Sequence, residues 1–257
     1  MFRLEKWYLD AVTDTGDVAI LYRASLAWGR FRLAYGASLC ASHPGEPIQR
    51  QTFRPGTEPT VNSGIVEWSS RELGVSGTWS ARMDGIERTL ADEPRGSIHW
   101  NCICPSANAR IHLDGISVEG LGYVEHLSMT LKPWQLPFVE LTWGRFLSTS
   151  DSLIWIHWDA ATPRTWVWLN GIERQDANLT DDKVELVDDG LVLELRDHTV
   201  LRSGLVNTTA VPSVRAITAL IPGWRSVHET KWLASGTFHR PGKTDRGWAV
   251  HEVVRWP

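Results

Sequence analysis

The 257-residue sequence has little cysteine, no long apolar run and no cluster of one charge. Its three cysteines are an odd number and too few for a disulfide framework, which favours a reducing compartment. No stretch approaches the roughly 18 consecutive apolar residues that a transmembrane helix needs, and the first residues lack an apolar core followed by a cleavage site. We therefore expect a cytoplasmic protein without a membrane span.

The balance of charge gives no sign of a nucleic-acid partner. The 26 basic and 30 acidic residues leave a net charge of −4, and the basic residues form no run. A glycine-rich phosphate loop, a paired CxxC motif and a nucleophile elbow are also missing from the sequence. We expect neither nucleic acid nor a cofactor to bind, and the sequence leaves the oligomeric state open.

One short cluster, His99, Cys102 and Cys104, has the residue types of a metal site. Structural zinc sites require two ligand pairs with wider spacing, and the sequence has no second pair. We therefore expect buried thiols and no metal, with a metal site as the alternative.

Tryptophan is the residue in excess, with 15 copies against 4 tyrosines and 6 phenylalanines. Each brings roughly 150–250 Å² of contact surface and an indole N–H that requires an acceptor. This number predicts that some tryptophans line a cavity. The alternative is that they fill wide sheet and barrel cores, because strands favour aromatic residues.

Short strands separated by turn residues account for most of the chain. In SLIWIHWD the alternation places Leu153, Trp155 and His157 on one face, and Asn170-Gly171 is typical of a hairpin turn. Residues 41–64 contain four prolines and predict a long loop or lid. Only residues 214–224 are compatible with a helical turn.

Three short signatures occur twice in the same order, which indicates two related halves. Unequal spacing between them is what two homologous barrels with different loops would show. The pairs are Trp28–Phe31 with Trp143–Phe146, Asp84–Arg88 with Asn170–Arg174, and Gly122–His126 with Gly247–Glu252.

Two segments, Glu5–Val12 and Gly120–Met129, together with the Trp-Gly-Arg that begins at Trp143, carry a family resemblance. They resemble the amino-terminal strand, the Gly-x-Gly-Tyr-x-Asp-His segment and the following Trp-Gly-Arg of the hydroxyneurosporene synthase (carotenoid 1,2-hydratase) superfamily of lipocalin-like proteins. The resemblance implies an all-β chain of two tandem lipocalin-like antiparallel β-barrels. We place the two barrels at residues 1–122 and 123–257, with a ligand site near the junction.

The resemblance also implies a class of chemistry. Members of the superfamily hydrate carotenoids or fold and cyclise polyketide and terpenoid products. An acid protonates an alkene, aromatic faces stabilise the carbocation, and water captures it. We therefore expect a hydrophobic ligand, an isoprenoid or polyketide, that undergoes hydration, cyclisation or isomerisation in a Trp-lined pocket.

The family motif selects the candidate site residues. His126 matches its histidine, Glu125 stands where the family has Asp, and Ser128 replaces the family's Trp. Trp155 and His157 have the spacing of a family Tyr and Asp pair but not its identities. The candidate catalytic residues are His126, His157 and Glu125, and the candidate substrate-binding residues are Trp143, Arg145, Trp155, Tyr123 and Trp134.

Strand geometry restricts this set. In an extended segment His126 and Glu125 point to opposite faces, so they share a cavity only if a bulge intervenes. We expect His126 to converge with Trp155 and His157. The alternatives are a core histidine at position 126, a carrier without catalysis, and a structural module whose barrels are filled and leave no cavity of about 300 Å³.

Overall fold

The computed structural model describes residues 1–43, 45–113, 115–206 and 226–256, so the helical turn expected within 214–224 lies outside it. The chain forms two compact units, Met1–Lys132 and Pro133–Pro257. The boundary expected at 122/123 falls within a strand, Ile116–Met129, that pairs with Phe2–Val12 along its length. The first unit therefore extends about ten residues further than the sequence motifs predict.

The first unit is a single antiparallel sheet of ten strands. Its spatial order is β4-β3-β2-β1-β10-β9-β7-β6-β5, and β8 pairs with β9 beside this path. The strands are β1 (Phe2–Val12), β2 (Val18–Trp28), β3 (Phe31–Ala41), β4 (Ile48–Thr52), β5 (Thr60–Asn62), β6 (Ile65–Ser70), β7 (Val75–Ala81), β8 (Ile86–Glu93), β9 (Gly96–Leu113) and β10 (Ile116–Met129).

The described strands of the second unit have the same order, namely β14-β13-β12-β11-β19-β18-β17-β16-β15, and none of these described strands corresponds to β8. A short 3-10 turn, Pro133–Gln135, precedes it. Its strands are β11 (Glu140–Ser148), β12 (Ser152–Asp159), β13 (Arg164–Leu169), β14 (Ile172–Arg174), β15 (Ala177–Leu179), β16 (Lys183–Leu186), β17 (Leu191–Leu205), β18 (His228–Arg240) and β19 (Lys243–Arg255). Two lipocalin-like antiparallel β units in tandem, as the resemblance implied, make up the chain.

Shared topology confirms the internal repeat but changes its alignment. Trp28–Phe31 contains the β2–β3 turn, whereas Trp143–Phe146 lies inside β11, the counterpart of β1. Asp84–Arg88 leads into β8, which pairs with β9, whereas Asn170–Arg174 contains the β13–β14 turn. These two matches between the halves are therefore wrong, because the same short sequences occur at positions that are not equivalent in the fold.

The third signature pairs equivalent strands with a shift of two residues. Gly120 lies against the Val12 carbonyl and Gly247 lies against the Leu147 carbonyl, and in each case a Cβ would overlap that oxygen. Gly120 is therefore the structural partner of Gly247. The same alignment makes Glu125 the counterpart of Glu252 in the second unit.

Alternating side chains of the first unit point into a common interior. From β1 these are Trp7, Leu9 and Ala11, and they meet residues of β6 and β7 that are distant in the order of the sheet. The sheet therefore curls around this core as a barrel does. Its buried members include Leu21, Val66, Trp68, Val75, Trp79, Cys104, Ile111 and Val124.

The second unit repeats this arrangement around Phe146 and Trp155. In β11 the alternation turns Gly144 and Phe146 towards the core, and the Trp155 ring occupies the space beside Gly144 that a Cβ would need. Glycine at this position thus allows the indole to lie flat against the strand.

Buried positions on both faces of the sheets account for most of the tryptophan excess. Trp68, Trp79 and Trp155 belong to the cores of their units. The others in the set below are buried outside these cores. The alternative, that tryptophans are buried residues of the sheets, therefore holds at these positions: Trp68, Trp79, Trp100, Trp143, Trp155, Trp158, Trp166 and Trp168.

The proline-rich segment 41–64 is only partly a loop. It contains β4 and β5 at the two edges of the first sheet, and residues 53–59 connect them. Gly56 and Thr57 of this connection accept hydrogen bonds from Arg23 and Trp68. No helix in the described part of the chain is long and apolar enough to cross a membrane.

One histidine is buried within the second unit. His251 of β19 is 5% exposed, and its ring stacks on Trp232 at 5.1 Å and 19°. Its Nε2 has no hydrogen-bond partner. Burial, aided by nearby His198 and Lys231 and opposed by Glu252, lowers the pKa of His251 to about 3.

We expect Gly144→Ala to destabilise the second unit by about 2–3 kcal/mol, because the added methyl group would overlap the Trp155 ring. Denaturant unfolding monitored by tryptophan fluorescence measures this loss. Gly56→Ala is the matched control, since no atom lies within 4 Å of its Cβ position. Equal stability of the two variants would contradict the packing described for Gly144.

We expect the buried His251 to make the free energy of unfolding depend on pH. Its contribution should fall as the pH drops below about 6.5, by at most about 1.4 kcal/mol per pH unit. Unfolded His251 binds a proton below its ordinary pKa of 6.5, whereas the folded chain excludes that proton until about pH 3. His251→Leu should flatten this dependence in urea titrations between pH 7 and 4. His239→Leu, at a 45% exposed side chain, keeps His251 and should leave the dependence in place.

Candidate functional site

The first unit contains a cavity of about 650 Å³ that opens at one end of the curled sheet. Strands β1, β2, β3 and β10 and the 53–59 connection contribute its walls. This volume lies within the range of small-molecule sites in proteins, about 300–1,000 Å³. The apolar lining residues include Trp7, Leu26, Leu33, Phe53 and Pro55, and the polar ones are Arg3, Glu5, Ser25, Arg32, Glu58 and His126.

Strand register places the polar groups of this cavity together. Glu5 and Trp7 are two residues apart on β1 and therefore project to the same face. His126 lies directly opposite Trp7 on β10, with ring centroids 4.6 Å apart. One histidine, one carboxylate and one indole thus meet at the cavity wall.

Glu5 is bonded on both of its oxygens. Its Oε2 lies 3.0 Å from His126 Nε2, and its Oε1 accepts a hydrogen bond of 3.0 Å from Ser128 Oγ. The Arg3 guanidinium also contacts Oε1. A carboxylate held in this way fixes the ring of His126 and directs its Nε2–H towards Glu5.

The His126 ring is 25% exposed, and its burial sets its protonation. Burial lowers the pKa of His126 below its usual 6.5, although the charges of Glu5 and Glu58 act in the opposite direction. The imidazole is therefore mainly neutral at pH 7. With Nε2–H on Glu5, Nδ1 is the nitrogen that accepts a proton, so the pair has the arrangement of a general base and its orienting carboxylate.

The opposite face of β10 carries a different cluster. Glu125 Oε2 accepts hydrogen bonds from Tyr123 Oη at 2.8 Å and from Trp100 Nε1 at 2.6 Å. Burial raises the pKa of Tyr123 well above its usual value, and the nearby Cys102 and Glu125 add to this effect. Glu125 and Tyr123 are thus brought together with each other and not with His126.

Two of the candidate residues in the second unit lie on the outward face of β11. Arg145 is fully buried and donates from Nη1 to the Trp248 carbonyl at 2.9 Å. Trp143 is buried as well, and the Lys231 ammonium lies 5.3 Å from the centre of its ring. Both side chains are held by contacts within their own unit.

The other three have separate surroundings. Trp155 belongs to the packed core of the second unit, and His157, on the same face of β12, is paired through Nδ1 with Thr165 Oγ1 at 2.8 Å. Trp134 is half-buried in the 3-10 turn Pro133–Gln135. The cavity around His126 is lined by residues of the first unit, so the structure does not bring Trp155 or His157 to it.

The His99, Cys102 and Cys104 cluster is separated by bulges in β9. Val124 pairs with Cys104 and the next residue, Glu125, pairs with Cys102, so one residue of β10 faces two of β9. Cys104 consequently points into the core, where burial raises its pKa to about 11. Both cysteines are buried thiols, and the described residues contain no group of three metal-ligating side chains.

Sequence reasoning missed Glu5, Trp7 and Glu58. Glu5 and Trp7 belong to the amino-terminal motif that carried the resemblance, and their spacing of two placed them on one face. Their position opposite His126 depends on pairing between strands about 120 residues apart, which no local pattern reveals. Glu58 lies in the segment interpreted as a lid.

Comparison with known proteins finds similarity at the level of structure. No protein-family model and no curated protein matches the sequence. Kievitone hydratase from Nectria haematococca matches with a TM-score of 0.58 and 12% identity over 98% of this chain and 88% of that one. CghA with Sch210972 matches with a TM-score of 0.57 and 11% identity over 98% and 88%.

At these identities the similarity concerns the fold, and it extends over nearly the whole chain. It agrees with the resemblance carried by Glu5–Val12 and Gly120–Met129. The chain therefore has the two-unit, lipocalin-like fold of these structures.

Proposed function

We propose that the chain binds a hydrophobic small molecule, of isoprenoid or polyketide type, in the cavity of its first unit and catalyses its hydration, cyclisation or isomerisation. The observation that carries this proposal is the convergence of the His126–Glu5 pair on a cavity of about 650 Å³ that apolar side chains, among them Leu33 and Phe53, also line. Apolar surface combined with fixed polar groups is the usual composition of a small-molecule site.

The His126–Glu5 pair supplies proton transfer in this proposal. Nδ1 of neutral His126 takes a proton from water or from the ligand, and Glu5 stabilises the imidazolium that results. The imidazolium then returns the proton to a different atom. Base-catalysed hydration and isomerisation both follow this sequence, and they differ in whether water adds.

The fold supports the same direction, since one protein with this architecture is named kievitone hydratase. That support is an analogy between folds and assigns no substrate to this chain. Three unpaired cysteines are consistent with a reducing cytoplasm as the working compartment.

The other candidate residues have no role in this cavity under the proposal. Glu125 and Tyr123 stabilise β10 from its opposite face. Trp143, Arg145, Trp134, Trp155 and His157 belong to the second unit.

We expect the protein to bind the apolar fluorophore N-phenyl-1-naphthylamine, and Ala34→Trp to weaken that binding about tenfold or more, because the indole would occupy the cavity. A fluorescence titration gives the dissociation constants. Thr78→Trp adds the same side chain at an exposed position of β7 and should leave the affinity unchanged. An unchanged dissociation constant for Ala34→Trp would show that the fluorophore binds outside this cavity.

We expect His126→Gln to lower turnover at least about 100-fold while ligand affinity changes less than about threefold, since proton transfer contributes typically 10²–10⁴ to a rate. Candidate isoprenoids and polyketides are incubated in H₂¹⁸O and in D₂O, and products are analysed by mass spectrometry. Incorporation of ¹⁸O identifies hydration, whereas deuterium without ¹⁸O identifies isomerisation or cyclisation.

Glu5→Gln is the companion variant and should lose part of the rate, because it keeps a hydrogen bond to His126 but removes the charge. A wild-type protein that binds these ligands without turning any of them over is a carrier, and this result would reject the catalytic part of the proposal.

A further inference from the structure

We infer that the ligand of this cavity carries a carbonyl oxygen conjugated to its reacting double bond, and that the indole N–H of Trp7 donates a hydrogen bond to that oxygen beside His126. The inference rests on the proposed function and adds to it a substrate class and a positioning group.

The indole of Trp7 is the starting observation. Trp7 is 9% exposed and lines the cavity, yet its buried Nε1 has no hydrogen-bond partner. A buried indole N–H normally finds an acceptor, because leaving water without one costs free energy. An acceptor on the ligand would remove this cost.

Other tryptophans of the same unit have acceptors. Trp68 Nε1 donates to the Thr57 carbonyl at 3.0 Å, Trp79 Nε1 to the Asp10 carbonyl at 2.7 Å, and Trp100 Nε1 to Glu125 at 2.6 Å. These three indoles are therefore satisfied within the unit. Trp7 belongs to the same core as Trp68 and Trp79 but also lines the cavity, and its N–H is the one of these four without an acceptor.

The position of Trp7 connects this N–H to proton transfer. Its ring centre lies 4.6 Å from that of His126, whose Nε2 is held by Glu5. The side chain that carries the donor and the side chain that accepts a proton are therefore neighbours. This is the combination that stabilises an enolate while a base works on the atoms next to it.

The protonation of His126 favours the same substrate. An isolated alkene needs a strong acid, which a mainly neutral imidazole is not. A double bond conjugated to a carbonyl reacts with a base and a nucleophile instead. Phe53, Leu33 and Leu26 provide apolar surface for the rest of such a ligand.

For hydration the step balances without a further reactant. Water gives a proton to His126 Nδ1 while its oxygen bonds to the β-carbon, and the π electrons of the double bond move through the α-carbon to the carbonyl oxygen. Trp7 N–H stabilises the resulting enolate oxygen. The imidazolium then protonates the α-carbon, which restores the carbonyl and neutral His126.

The test uses two ligands of nearly identical shape. One is 4-phenyl-3-buten-2-one, and the other is 2-methyl-4-phenyl-1,3-butadiene, in which a methylene group replaces the carbonyl oxygen. We expect the wild-type protein to bind the ketone about three- to tenfold more tightly, as one net hydrogen bond allows. Trp7→Phe keeps a ring but removes the N–H, and it should abolish this preference.

The matched control is Trp79→Phe, which removes an indole N–H from the same core, because neither Trp79 nor its acceptor Asp10 lines the cavity. It should lower stability and keep the preference for the ketone. Infrared spectroscopy of the bound ketone provides a readout that needs no variant: the carbonyl stretch should shift to lower frequency in the wild-type complex than in an apolar solvent.

The outcomes separate this inference from the proposed function. Equal binding of the two ligands with an unshifted carbonyl stretch overturns the role of Trp7 and leaves the cavity as a ligand site. Failure of the wild-type protein to bind either ligand or N-phenyl-1-naphthylamine overturns both. A preference for the ketone that survives Trp7→Phe overturns the assignment of the donor.

Discussion

Pairing between the first and last strands of each unit determines which side chains can act together. In the first unit the register of β1 against β10 places Trp7 opposite His126 and Tyr8 opposite Glu125. Because neighbouring residues of a strand project to opposite faces, this single register sends His126 into the barrel and Glu125 out of it. The site, the core and the outer polar cluster all follow from that pairing.

The two faces of β10 use polar groups differently. On the outer face Tyr123 and Trp100 both donate to Glu125, and this closed set of hydrogen bonds makes a buried carboxylate tolerable. On the inner face Glu5 holds Nε2 of His126, and both residues line the cavity. The first arrangement stabilises a sheet, and the second leaves capacity for a ligand.

Much of the architecture could be predicted from local pattern. The strand around Trp155, the Asn170-Gly171 turn with both residues at positive φ, and the separation of His126 from Glu125 were readable because period-two alternation and turn chemistry are local. The alignment of the two halves could not be predicted, since Trp-Gly-Arg-Phe recurs at positions that differ in the fold. The contact between His126 and Glu5 could not be predicted either, because it depends on the pairing of β1 with β10, which are far apart in the sequence.

The pairing of first and last strands, β1 with β10 and β11 with β19, also brings the two ends of each unit side by side. Leu4 faces Met129 in the first unit, and Glu140 faces Arg255 in the second. A domain whose ends adjoin can be copied in tandem, or opened at another loop and rejoined, without breaking its sheet. A single duplication of one such unit is therefore enough to produce a chain of two, with each sheet left intact.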